Sequence, residues 1–143
     1  MTESDCVCNY FCYNLFVKLK NAHRKAWIAF FVAHGVLSRE VERALAEAGQ
    51  PSLEVYDVLL SLEMAPGQRL RMSELADRLV YSRSGLTRLA DRIERLGWIA
   101  REGCPNDRRA THAVLTPAGL AAREAAWPVY QSAIQEHFGS KLS

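Results

Sequence analysis

Along most of this chain the apolar residues recur at three- and four-residue steps, the spacing of one face of an α-helix. Trp27, Phe30, Phe31, His34, Leu37, Val41, Leu45 and Ala48 follow it, which predicts a helix over 21–48. Gly49 fits its stop and Pro51 opens the next element. Ser52 is a candidate cap for a second helix, with Glu54 in its first turn. That helix carries Leu53, Tyr56, Val58, Leu59, Leu60 and Leu62 and ends before Pro66-Gly67. Arg69-Leu70-Arg71 reads as a small strand, and Ser73 starts a short helix, Glu74 to Leu79, with Leu75, Ala76 and Leu79 inside. Val80-Tyr81-Ser82 is a tight connection. Ser82 caps a helix from Arg83 to Leu96 whose inward set is Leu86, Leu89, Ile93 and Leu96 and whose stop is Gly97. Two β-like runs, Trp98 to Arg101 and Thr111 to Leu115, flank a turn-rich loop of Pro105, Asn106, Asp107, Arg108 and Arg109. Thr116-Pro117 then starts a last helix to about Phe138, bent near Pro128. Residues 1–20 are aromatic- and cysteine-rich and stay unassigned, and 21–143 read as one domain.

The order of these elements predicts a mainly α fold with a small β-hairpin. Two helices joined by about three residues form a helix-turn-helix, and a basic hairpin directly after the second makes it a winged one, over about 52–116. The second helix turns Arg83, Ser84, Thr87, Arg88, Asp91, Arg92 and Arg95 outward. Such a helix suits the DNA major groove. Two guanidinium groups on a hairpin suit a narrow, electronegative minor groove, because each is planar, long and charged.

Charge sharpens this picture. The chain of 143 residues has a net charge of only +2. Yet residues 69–109 hold ten Arg and no Lys against six acids, an excess of four, while the remainder is negative by two. A contiguous basic block is the footprint expected for a polyanion partner. The competing reading is a solvated helix with internal pairs among Arg88, Asp91, Arg92 and Arg95.

The stretch Met72-Ser-Glu-Leu-Ala-Asp-Arg-Leu79 continues to Ser82-Arg-Ser-Gly-Leu-Thr-Arg-Leu-Ala-Asp-Arg-Ile-Glu-Arg-Leu-Gly97, then Asp107-Arg-Arg109 and Leu115-Thr-Pro-Ala-Gly119. It resembles the MarR family of bacterial transcription regulators, from roughly Ala26 to Phe138. The resemblance implies a homodimeric repressor on a near-palindromic double-stranded DNA operator, with dimerisation helices at about 21–48 and 117–138. It also implies release by a small aromatic or lipophilic effector. Carried over by position, Ser82, Ser84, Thr87 and Arg88 take the major-groove face, and Arg109 with Arg108 enters the minor groove. Asp107 braces a wing arginine, and Arg83 and Arg92 belong to the same basic face, Arg92 toward phosphate. Three departures stand out: Val80 sits where the family usually has glycine, the chain stops near where a further dimerisation helix would begin, and residues 1–20 have no counterpart in the family.

An effector pocket implied by the family falls to Trp27, Phe30, Phe31, His34, Tyr56 and Leu60. An alternative is a cysteine-based redox-sensing regulator of the same fold acting through Cys12, near Tyr10 and Tyr13; a reactive thiol there needs a cationic neighbour or a helix N-terminus. Another is a winged-helix module that binds protein, which a basic face disfavours. Four scattered His and four Cys lack zinc spacing, so no metal or cofactor is expected. No nucleophile, phosphate-loop or metal arrangement points to an enzyme. The apolar run from Cys6 to Val17 is too short to span a membrane and lacks the basic start of a signal peptide, so a cytoplasmic setting is expected.

Overall fold

A computed structural model describes the backbone of residues 20–104 and 107–142, together with their side chains except those of 104 and 107–109. Its helices are α1 (Asn21–Glu47), α2 (Leu53–Glu63), α3 (Met72–Arg78), α4 (Arg83–Arg95) and α5 (Pro117–His137). Three strands, β1 (Arg69–Arg71), β2 (Ile99–Cys104) and β3 (Asp107–Leu115), form an antiparallel sheet in the order β1-β3-β2. The chain divides into two compact units, Met1–Ser38 and Arg39–Ser143.

Within the first unit, the stretch of α1 up to Ser38 displays a ladder of aromatic rings. Trp27 lies 6.2 Å from Phe30 and 6.5 Å from Phe31, and Phe30 lies 6.4 Å from His34, all centroid to centroid. These are the steps of one helix face, but it is exposed: Phe30 by 64% and Phe31 by 68%, with Ile28, Val32 and Val36 beside them. The helical period was legible, while only Val41 and Leu45 of the expected inner face are buried.

The second unit is built on one apolar cluster. Val55, Val58, Leu59 and Leu62 of α2 meet Leu75 and Ala76 of α3, Leu86, Leu89, Ala90 and Ile93 of α4, and Leu70, Ile99, Ala113 and Leu115 of the sheet. Each fully buried Leu or Ile contributes roughly 1.5–3 kcal/mol by leaving water. Leu96, expected inside, is the C-cap of α4 and is 52% exposed; the buried face of the helix consists of Leu86, Leu89, Ala90 and Ile93.

Three helices end with the same geometry. After α1, Gly49 donates to the Ala46 carbonyl and Gln50 to that of Leu45; after α4, Gly97 donates to Glu94 and Trp98 to Ile93. After α3, Val80 donates to Asp77 and Tyr81 to Ala76. This paired bonding needs a left-handed residue at its centre. Gly49 and Gly97 supply it at φ 66° and 73°; Val80 adopts φ 56° despite its branched side chain. The turn therefore keeps the geometry that a glycine would allow, and Val80 stands 92% exposed.

Helix starts differ in detail from expectation. Ser52 precedes α2, but its side chain makes no cap; the Glu42 carboxylate of α1 accepts from the Leu53 N–H at 2.7 Å. α3 begins at Met72, ahead of Ser73, because Glu74 reaches back to the Arg71 N–H at 3.1 Å. Ser82 does cap α4, accepting from the Gly85 N–H at 3.1 Å, and Thr116 caps α5 through the Gly119 N–H at 3.1 Å. Pro117 holds the first position of α5, and Pro128 lies inside that helix.

The hairpin is longer than the side-chain pattern suggested. Trp98 lies outside β2, β2 runs on to Cys104, and β3 begins at Asp107, so Asp107, Arg108 and Arg109 belong to a strand rather than to the loop. α5 packs antiparallel on α2 through a Tyr56–Tyr130 stack, with centroids 4.4 Å apart, and an Arg123–Glu63 ion pair.

Candidate nucleic-acid interface

The cap at Ser82 and the stop at Gly97 fix α4 as a short rod, and its buried Leu86, Leu89, Ala90 and Ile93 fix its rotation. Arg83, Ser84, Thr87, Arg88, Arg92 and Arg95 consequently face solvent, and Asp91 is half-buried. Within this face the side chains do different things. The Ser82 hydroxyl is engaged in the cap and lies 3.4 Å from that of Ser84. Thr87 donates its hydroxyl proton to the Arg83 carbonyl at 2.9 Å. Arg83 approaches Asp77 at 3.6 Å while staying 67% exposed. Among the described residues Arg88 has no carboxylate partner.

Arg92 is held from behind. Its guanidinium meets Glu54 of α2 at 3.4 Å, and Glu54 also accepts from the Tyr81 hydroxyl at 3.3 Å. Burial, reinforced by the Glu54 charge, pushes the Tyr81 hydroxyl above its usual range. Glu54 thus ties the strained turn to the middle of α4. The internal ion pairs of the competing reading of α4 are not what forms: Asp91 pairs with Arg101 of β2, and Arg95 donates to the Asp91 carbonyl at 3.2 Å.

Between α4 and the hairpin lies an open cleft of about 470 Å³. Arg71, Met72 and Ser73 form one wall, Arg83 and Thr87 of α4 another, and Arg101, Ala110 and Thr111 of the sheet a third. Arg83 and the hydroxyls of Ser73 and Thr111, bordered by Arg71 and Arg101, can take anionic oxygens in this trough, the charge-assisted bonding that arginine geometry favours. Arg71, Ser73, Arg101 and Thr111 were missed from sequence. The signal available was the run of arginines flanking the helix-turn-helix, but only the folded arrangement of β1, the sheet and α4 brings its members to the edges of one trough.

Among the other expected site residues, the backbone of β3 carries Asp107, Arg108 and Arg109 past the cleft, and their side chains, like all of Cys12, lie outside the described residues. Trp27, Phe30, Phe31 and His34 belong to the first unit, and Tyr56 and Leu60 to the second. Leu60 is half-buried. Tyr56 is fully buried, and its hydroxyl is pushed up by burial against the downward pull of Arg123. No described helix is long and apolar enough to cross a membrane.

Comparison with known proteins agrees with this architecture. Residues 50–110 match the family model described as MarR family. A MarR family transcriptional regulator from Streptomyces coelicolor, AbsC, superimposes with a TM-score of 0.78 at 30% identity, over 87% of this chain and 84% of that one. The chain belongs to the MarR family. Sco3205 of the same organism, solved in complex with DNA, gives 0.77 at 30% identity over 87% and 81%. The transcriptional repressor MprA of Escherichia coli K12 is 40% identical over 65 residues, 46% of this chain and 37% of its own length. The chain thus spans little more than a third of that curated relative.

Proposed function

We propose that this MarR-family chain is a sequence-specific DNA-binding transcriptional regulator, a repressor, acting in the cytoplasm, where bacterial DNA lies, and without catalytic activity. The observation that carries the reading is the basic trough between α4 and the hairpin. In a winged helix, one DNA strand runs between the major groove read by the helix and the minor groove reached by the wing. Arg83, with the hydroxyls of Ser73 and Thr111, stands where that strand's phosphates would lie, and Arg101 backs the trough from β2. Ser84 and Arg88 then meet base edges, and Arg108 and Arg109 of the wing enter the flanking minor groove. The DNA complex of the similar Sco3205 supports duplex DNA as the ligand.

Two copies would act together. Water-exposed Trp27, Ile28, Phe30, Phe31, Val32 and Val36 make a stripe too apolar for an isolated helix face, and a second copy supplies its natural cover. Phe31→Glu then shifts the sedimentation of the protein from pair to single chain, whereas an already monomeric wild type rules this out. A lipophilic effector acting near the same stripe belongs to this reading as its regulatory part.

The deciding experiment is selection of bound duplexes from a random pool. Enrichment of a near-palindrome with half-sites about one helical turn apart is expected. A pool that stays random after several rounds removes sequence-specific recognition.

A further inference from the structure

We infer that Arg101 is the positioning residue of the DNA-reading face: one side chain fixes the wing against α4 and cancels the two negative charges α4 turns toward it. Its structural part stands on contacts alone, and its consequence for affinity rests on the DNA-binding reading.

Sheet register explains where Arg101 goes. It stands opposite Ala113, which stands opposite Leu70, and both of these are buried. A side chain on that face of the sheet is directed at α4, whereas the neighbouring row of Arg71, His112 and Glu102 takes the other face. Arg101 is accordingly only 25% exposed, against 67% for Arg83 and 48% for Arg92.

Its guanidinium then meets three groups on one edge of α4, spaced by one helical turn. It binds the Asp91 carboxylate, donates to the Thr87 carbonyl at 3.3 Å, and lies 3.5 Å from the Glu94 carboxylate. The other oxygen of Glu94 accepts from the backbone N–H of Arg101 at 3.2 Å. Strand and helix are therefore joined by side chain and main chain of the same residue. A planar fork can serve several acceptors at fixed angles, whereas a lysine offers one compact charge. Without that fork, Asp91 and Glu94 would confront the trough uncompensated, and like charges repel a polyanion.

The test uses Arg101→Met and Arg101→Lys, with Asp91→Asn/Glu94→Gln as the charge-neutral background. Amide hydrogen exchange of the free protein reads position. In both Arg101 variants the amides of 99–103 and 110–115 should exchange at least tenfold faster, while those of α2 stay protected and report an intact fold. Should Arg101→Met fail to fold, Arg101→Lys supplies the same comparison. Wing exchange at the wild-type rate in the folded variant overturns the inference, whatever the protein binds. Duplex titration reads the charge. Arg101→Met should lose tenfold or more, and adding the two neutral substitutions should recover part of that loss without restoring wing protection. An Arg101→Met protein that binds duplex as tightly as wild type overturns the second half. A wild type that binds no duplex at all would instead sink the DNA-binding reading, leaving the exchange result to decide the role of Arg101.

Discussion

Gly119 packs so closely on Trp98 that a Cβ added there would stand 2.0 Å from the Trp98 carbonyl oxygen. The same carbonyl accepts from the Thr116 N–H at 3.1 Å, and the Thr116 hydroxyl donates to the Gly97 carbonyl at 2.7 Å. Thus the Leu-Thr-Pro-Ala-Gly run is a joint. It locks the start of α5 onto the exit of α4, and glycine is present because backbone, not a movable side chain, occupies the space. Gly119→Ala should cost about 3 kcal/mol of stability, read as a lower urea midpoint with an unchanged slope; a loss below about 0.5 kcal/mol would contradict so close a contact.

Val80 offers the opposite outcome. Left-handed backbone costs an L-residue roughly 1–2 kcal/mol, and a branched, solvent-exposed side chain gains nothing there to offset it. Val80→Gly should raise stability by about 1 kcal/mol, reduced somewhat by the greater freedom of glycine in the unfolded chain. A lowered thermal midpoint would show that the valine makes a favourable contact.

Asp57 sets a pH dependence. Burial raises its carboxyl above the ordinary value. Its folded form therefore binds a proton more readily than its unfolded form does, so this group disfavours folding at neutral pH, and the penalty fades as pH falls through the folded-state value. Asp57→Asn should stabilise the protein at pH 7, with an advantage that narrows on acidification. Equal urea midpoints for the two proteins at pH 7 would contradict this.

On the DNA side, Arg88 and Arg92 should separate. Arg88→Ala should weaken operator binding by about 1–3 kcal/mol and change the preferred sequence. Arg92 already meets Glu54, so Arg92→Ala should weaken all sequences alike and by less. Affinity should also fall steeply with salt as counterions are released. Identical selections from the Arg88→Ala and wild-type proteins would take Arg88 out of base reading.

Much of this fold was legible because it is written at short range. Apolar sets at helical spacing mark α1, α2 and α4, Thr116-Pro117 marks the start of α5, and the glycines at 49 and 97 mark two of the stops. The connection at Val80-Tyr81-Ser82 was legible, but its left-handed backbone was not, since no local rule assigns that conformation to valine. Hairpin length was hidden too: Glu102 and Thr111 do not alternate with apolar neighbours, and the strands are held there by ladder pairing rather than by burial. Within the site, Arg83 to Arg95 could be placed on one helix face from spacing alone. The partners of Asp91 and Arg92 could not, because Arg101 lies ten residues on across a turn and Glu54 lies 38 residues back.

Every amine of a lysine side chain in this protein lies outside the segment from Arg69 to Arg109; the four lysines are at 18, 20, 25 and 141. Acetylation, which erases the charge of lysine, finds no substrate on the helix, the hairpin or the trough between them. The charge of the proposed interface is thereby closed to that form of control. For the same reason, dyes or supports coupled through amines attach well away from the segment in sequence and leave its own side chains chemically untouched.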